Sequence, residues 1–175
     1  MKKLALLLTV FFVASISTLQ SQTINESKSK VKFHITGGGF FKVKGTFTGM
    51  KGDFNFDASA LKDANFNICI DASTVNTKNK KRDAHLKDPD FFDVVQYPNI
   101  CFKSSSVSKT NEGYIVKGKL TILEVTKDVE IPFTFNNKTF TGSLIVNRFD
   151  YNLGKDFGTF RVGKEATITI ICEVN

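Results

Sequence analysis

The sequence predicts an all-β protein: about eight antiparallel strands closed into a barrel, with a short helical excursion around residues 79–97. Three observations predict it. Apolar and polar residues alternate in run after run, as in strands with one face in a core and the other in water. Hairpin-length turns join most runs, with no repeat and no strand–helix–strand alternation, which argues an antiparallel sheet. Of the long segments, only Arg82–Pro98 does not read as strand; it concentrates charge and two adjacent phenylalanines, Phe91 and Phe92.

Val31, Phe33 and Ile35 alternate with Lys30, Lys32 and His34, and Gly37-Gly38-Gly39 ends this first strand. Phe41, Val43, Gly45 and Phe47 then oppose Lys42, Lys44 and Thr46; after Gly49 the pattern resumes with Met50, Gly52, Phe54 and Phe56. Asp57–Asp63 is a turn or short connector, and Ala64, Phe66, Ile68 and Ile70 form the next inward row. The excursion leaves at Asp71. Asn79 to Lys87 suits one or two helical turns, Asp88-Pro89-Asp90 stops them, and Asp90 is placed to cap a second short helix. Tyr97-Pro98 closes the excursion, because the residue before a proline is pushed toward extended backbone. Ile100 and Phe102 open another strand, blurred at its far end by Ser104–Ser106, the place for a bulge. Asn111-Glu112-Gly113 turns into Tyr114, Val116, Gly118, Leu120 and Ile122. Glu124 to Lys127 is a corner. Val129, Ile131, Phe133 and Phe135 follow, and Asn136–Lys138 turns into Phe140, Gly142, Leu144 and Val146. Arg148–Gly163 is looser and glycine-spaced, with room for a short strand, before Ala166, Ile168, Ile170, Cys172 and Val174. That last strand is strongly patterned and needs a partner, which closure into a barrel supplies.

Gly45, Gly52, Gly118 and Gly142 fall on the apolar faces of their strands. Glycine there marks a sharp bend or a close approach. Two readings are open at this point. The missing side chains leave an apolar channel among large phenylalanines, or they only permit curvature while neighbouring rings fill the gaps. A barrel of this size has room for either.

The chain has 175 residues, enough for one domain, and a net charge of +7. Met1-Lys2-Lys3, an apolar run from Leu4 to Ile16 and a small polar stretch to Ser21 follow the order of a secretory signal peptide, so residues 1–21 are expected to be removed. The expected product, residues 22–175, has 22 basic and 17 acidic side chains. It is expected in the periplasm or secreted. A modest basic excess is compatible with peripheral contact to anionic membrane surfaces, whereas the scattered basic residues, without interleaved aromatics, argue against nucleic acid. Cys69, Cys101 and Cys172 are an odd set for an exported protein. Cys69 and Cys101 are able to pair if their strands are neighbours with Cα atoms within about 7 Å; Cys172 reads as a buried apolar residue.

Several segments, in order, resemble the YceI-like family. They are Ser29–Ile35, Val43–Phe47, Ile70–Thr77, Arg82–Leu86, Asp90–Asp93, Tyr97–Ser104, Gly118–Ile122, Val125–Val129 and Asn147–Tyr151. The ordered set covers essentially all of residues 22–175. The resemblance implies an eight-stranded lipocalin-like barrel that holds a polyisoprenoid or other long-chain lipid in an elongated pore, without catalysis. Leu123-Glu124 departs from the pattern, since the family tends to have a small residue or glycine before the Val-Thr pair.

The expected pore lining is Phe33, Phe41, Phe54, Phe66, Ile68, Phe102, Val116, Leu120, Leu144 and Ile168. Arg82, Asp83 and His85 are candidates for a mouth that meets a polar or phosphorylated head group, since the guanidinium fork suits phosphate. Against that stands a structural reading in which Arg82 pairs with Asp83 and His85 tethers the excursion. No cofactor or metal is expected: His34 and His85 lie on different elements, and Asp88, Asp90 and Asp93 lack calcium-loop spacing. No nucleophile elbow or acid–base constellation stands out, so a carrier is favoured over an enzyme. The alternative is a filled barrel that works through its surface on a protein or membrane.

Overall fold

The computed structural model describes residues 22–175; the leader expected at residues 1–21 lies outside them. Among the described residues nine strands form one antiparallel sheet. They are β1 (Lys30–Gly37), β2 (Phe41–Phe47), β3 (Lys51–Asn55), β4 (Asn65–Asp71), β5 (Asn99–Thr110), β6 (Gly113–Ile122), β7 (Val125–Asn136), β8 (Thr139–Asn147) and β9 (Val162–Glu173). Their order is β2-β1-β9-β8-β7-β6-β5-β4-β3.

The two ends of that order are consecutive in the chain. Only Thr48, Gly49 and Met50 separate β2 from β3, and Gly49 turns the chain at φ +67°, a left-handed value that glycine adopts without steric cost. The sheet therefore curls until its ends meet in one bent strand. Counting β2 and β3 together recovers the eight-stranded, lipocalin-like barrel. Side chains and bridges seal the seam: Thr46 pairs with Asn76, Thr48 N donates to Thr74 Oγ1 at 2.9 Å, and Gln22 pairs with Phe54.

The helical excursion is one helix, α1 (Lys80–Lys87), capped by Asn79, whose side chain accepts from Arg82 N at 3.1 Å. The second helix expected at Asp90 does not form. Asp88 O already accepts from both Phe91 N and Asp93 N, which winds the chain into consecutive turns instead. The serine run does hold a bulge, at Ser105, but β5 continues through it to Thr110. The tight corner into β7 falls earlier than expected, at Leu123-Glu124, and β7 already begins at Val125; Leu123 occupies φ +54°, a left-handed position where a side chain is disfavoured and glycine is at ease. Arg148–Tyr151 is a 3-10 turn, and no strand forms between it and Val162.

Both readings of the interior hold, in different halves. At one end Phe54, Phe56, Phe66, Phe133 and Phe140 form a continuous aromatic cluster with centroid distances of 4.4–6.3 Å, joined by Phe135 and Tyr114. That end is plugged. Three of the four inward glycines accommodate rings: Phe33 lies against Gly45, Phe102 against Gly118 and Phe140 against Gly142. Gly52 is different; it is exposed, and a Cβ there would collide with the Asn67 carbonyl across the ladder. The other end stays hollow.

Candidate functional site

The hollow end is a cavity of about 200 Å³. Its wall on β1 is the inward row Val31, Phe33 and Ile35; on β9 it runs from Val162 to Cys172. On β1 the lining covers four residue steps, roughly 13 Å of strand, and the space ends at the aromatic plug, where Phe54, Phe66 and Phe140 border it. So small an apolar volume suits one slender chain. The excursion and the Arg148–Arg161 loop cover its end with Leu86, Phe91, Phe92 and Leu153. Phe91 and Phe92 are both buried; Phe92 meets Phe47 edge-on at 5.2 Å, and Phe91 packs on Phe157 at 4.9 Å.

Among the described residues, one charged side chain borders the cavity. Arg148 is 2 % exposed and has no carboxylate partner among the described residues. Its Nε donates to Gly163 O at 2.9 Å, Nη1 to Leu153 O and Gly154 O, and Nη2 to Phe157 O and Val162 O. Every N–H of the guanidinium thus goes to main-chain carbonyls, and none is left for a ligand. Burial pulls its pKa below the usual arginine value, yet it stays charged. Cys172 also borders the cavity, and burial pushes its thiol up to about 11.

Eight of the ten expected lining residues border the cavity: Phe33, Phe54, Phe66, Ile68, Phe102, Leu120, Leu144 and Ile168. Two do not. Val116 is fully buried, packed between Val107 and Ile131 of its neighbouring strands with no space beside it. Phe41 is 73 % exposed; it lies at the tip of the β1–β2 hairpin opposite Gly37, which offers no side chain to pack against. Ile35, Phe47 and Ile170 border the cavity too. They stood in the alternating rows, but period alone does not say which end of a row is hollow. Leu86, Arg148 and Leu153 come from connections without period and gave no such signal.

The mouth candidates are engaged elsewhere. Arg82 and Asp83 converge on Thr77, not on each other: Arg82 Nε donates to Thr77 Oγ1 at 2.8 Å, and Asp83 Oδ1 accepts from Thr77 N at 2.7 Å and from its hydroxyl. Burial works against ionisation of Asp83, but the Thr77 bonds and the Arg82 charge together hold its carboxyl below the usual range. His85 Nε2 pairs with Asp90 Oδ2 at 2.8 Å, and its ring meets Phe91 and Phe157 edge-on. None of the three borders the cavity; they lock α1 to its surroundings. His85, Asp88 and Asp90 do bring one ligand atom each within 4.8 Å of one another, all three on the exposed surface. Cys69 and Cys101, opposite each other on β4 and β5, form a disulfide.

Known proteins resemble this chain in sequence and in fold. A "UPF0312 protein" of Pseudomonas savastanoi pv. phaseolicola is 33 % identical over 142 residues, 80 % of this chain and 66 % of the relative, so the chain spans about two thirds of that protein's length. The crystal structure of Burkholderia cenocepacia BcnA superposes with a TM-score of 0.74 at 27 % identity, covering 85 % of this chain and 98 % of that one. A polyisoprenoid-binding domain from Saccharophagus degradans has the same fold at 14 % identity, with a TM-score of 0.65 over 88 % of this chain and 98 % of its own. Residues 22–174 match the model of the YceI-like domain, and on that match across the whole described barrel the chain belongs to the YceI-like family.

Proposed function

We propose that this protein is an exported, non-catalytic carrier that holds the hydrocarbon tail of a polyisoprenoid-like lipid in its barrel. The observation that carries the reading is the narrow apolar cavity along β1 and β9, bordered by a single cation whose donors are all used. Each methylene moved from water into such a space contributes about 0.8 kcal/mol before ordering costs. The polyisoprenoid-binding domain with the same fold supports the lipid class, and the amino-terminal apolar run supports export. The groups on the wall are hydrocarbon, sulfur and a saturated guanidinium. None is set to move a proton or attack a substrate.

The test is native mass spectrometry of protein recovered from a Gram-negative host, before and after incubation with a polyprenol. The expected result is a chain starting near Gln22 that carries lipid mass, released by organic extraction. A chain that stays empty in polyprenol would overturn the carrier reading, and an unprocessed amino terminus would overturn export.

A further inference from the structure

We propose that the hollow end of the barrel carries a membrane-docking tip, and that its partner is an anionic lipid surface. Two loops build the tip. Gly38 N in the β1–β2 hairpin donates to Arg161 O at 3.1 Å, and the Phe160 ring packs so closely on Gly39 that a Cβ there would sit 2.8 Å from it. The paired loops present Phe40, Phe41 and Phe160 at 85 %, 73 % and 70 % exposure. Single exposed apolar residues are ordinary, but three large rings gathered on one tip mark an interaction surface.

The charge behind the rings identifies the partner. Residues 30–52 carry five lysines and no carboxylate. Lys32, Lys42 and Lys44 lie on the outward face of β1 and β2, with His34 opposite Lys44. Among the described residues Lys32, Lys42 and Lys44 form no ion pair, whereas Lys51 reaches Glu26 at 3.9 Å, and Lys117 and Lys119 farther round the barrel are matched by Glu130 and Asp128. Aromatic tips with free lysines behind them suit the boundary between acyl chains and negative head groups. Among the described residues no helix is long and apolar enough to cross a bilayer, so contact through this tip would be peripheral. Ile35 and Val162, next to the two loops, also border the cavity. Docking would therefore set the hollow end on a membrane. This goes beyond the carrier reading, and the assay below reads docking whether or not the cavity is loaded.

The barrel and its core lie within residues 22–175, so that segment is the one to assay, free of the apolar run at residues 4–16. The chain has no tryptophan, which makes Phe40→Trp a single reporter. With vesicles of equal parts phosphatidylglycerol and phosphatidylethanolamine, its emission should shift to the blue. Binding to phosphatidylcholine vesicles should be at least about tenfold weaker, and Lys42→Glu with Lys44→Glu in the same background should cost a similar factor. Ile145→Trp, on the exposed barrel wall, should not shift. No shift at position 40, equal shifts at 40 and 145, or a shift that grows with protein concentration without vesicles would each overturn the proposal; the last would point to self-association.

Discussion

Cys69 and Cys101 stand directly opposite each other on β4 and β5, Cα atoms 4.1 Å apart, and are joined. The excursion leaves the barrel from β4 and returns on β5, so one covalent staple fixes both of its roots. The bridge closes a segment of 32 residues that contains α1, Phe91 and Phe92. In the chain-entropy account a loop of that length is worth about 3–4 kcal/mol. Cys69→Ala with Cys101→Ala should lower the unfolding free energy by about 3 kcal/mol in urea titrations. Phe91 and Phe92 should also lose amide protection before the strands do, since their cover is no longer pinned.

The cavity predicts two opposite outcomes for added bulk. Leu144 is half-buried, faces Ile168 across the β8–β9 ladder and borders empty space. Leu144→Trp should cost less than about 1 kcal/mol of stability, because its extra volume enters the cavity. Binding of a fluorescent polyene fatty acid should fall at least about tenfold, as the new ring occupies the space the probe needs. Val116 borders no space. Val116→Phe should cost about 1–3 kcal/mol by overpacking and leave probe affinity nearly unchanged. If both variants bind the probe like the wild type, the probe sits outside the barrel.

The order of strands was legible in the sequence because nearly every strand has one wet face, so its period shows directly. The bend at Gly49 was legible as a break in pattern, but not as the hinge that closes the barrel; that depends on which strands β2 and β3 pair with. The plug and the cavity use the same residue types on the same faces. Phe66 and Ile68 are adjacent inward rungs of β4 with the same periodic signal, and only three-dimensional packing shows where the aromatic cluster stops. Phe41 follows the inward pattern of β2 yet is exposed, since period does not show that its cross-strand partner is Gly37, which offers no ring to pack against. Arg148 was hidden for another reason. Its five acceptors are main-chain carbonyls, which leave no trace in side-chain identity.

Arg148 organises the loop that covers the cavity. Its donors reach Leu153, Gly154, Phe157, Val162 and Gly163, and its guanidinium lies 4.0 Å from the centre of the Phe149 ring. Removing it leaves buried carbonyls without donors, at about 1–3 kcal/mol for each group that water does not reach. Arg148→Met, close in length and without donors, should destabilise the protein by about 3 kcal/mol or more. Hydrogen exchange should quicken first at Phe157 and Val162, whose amides bond within this loop. Arg148→Lys should recover only part of the loss, because an ammonium offers three donors from one point instead of a planar fork.

Asp83 gives the barrel a dependence on acid. Its carboxylate accepts from the Thr77 amide and hydroxyl, beside the Arg82 guanidinium that grips the same threonine. Burial raises its pKa and the bonds lower it further, so the folded value lies below the ordinary 3.8. A carboxyl depressed by folding contributes stability above its unfolded pKa, and loses that contribution as pH falls through the folded value. Asp83→Asn keeps the shape and one acceptor but deletes the charge. At pH 7 it should cost on the order of 1 kcal/mol in urea titrations. The gap between variant and wild type should narrow as the pH drops below 3.8, because the wild type then loses the same charge. A gap that stays constant from pH 7 to pH 2 would mean that the Thr77 clamp owes nothing to ionisation.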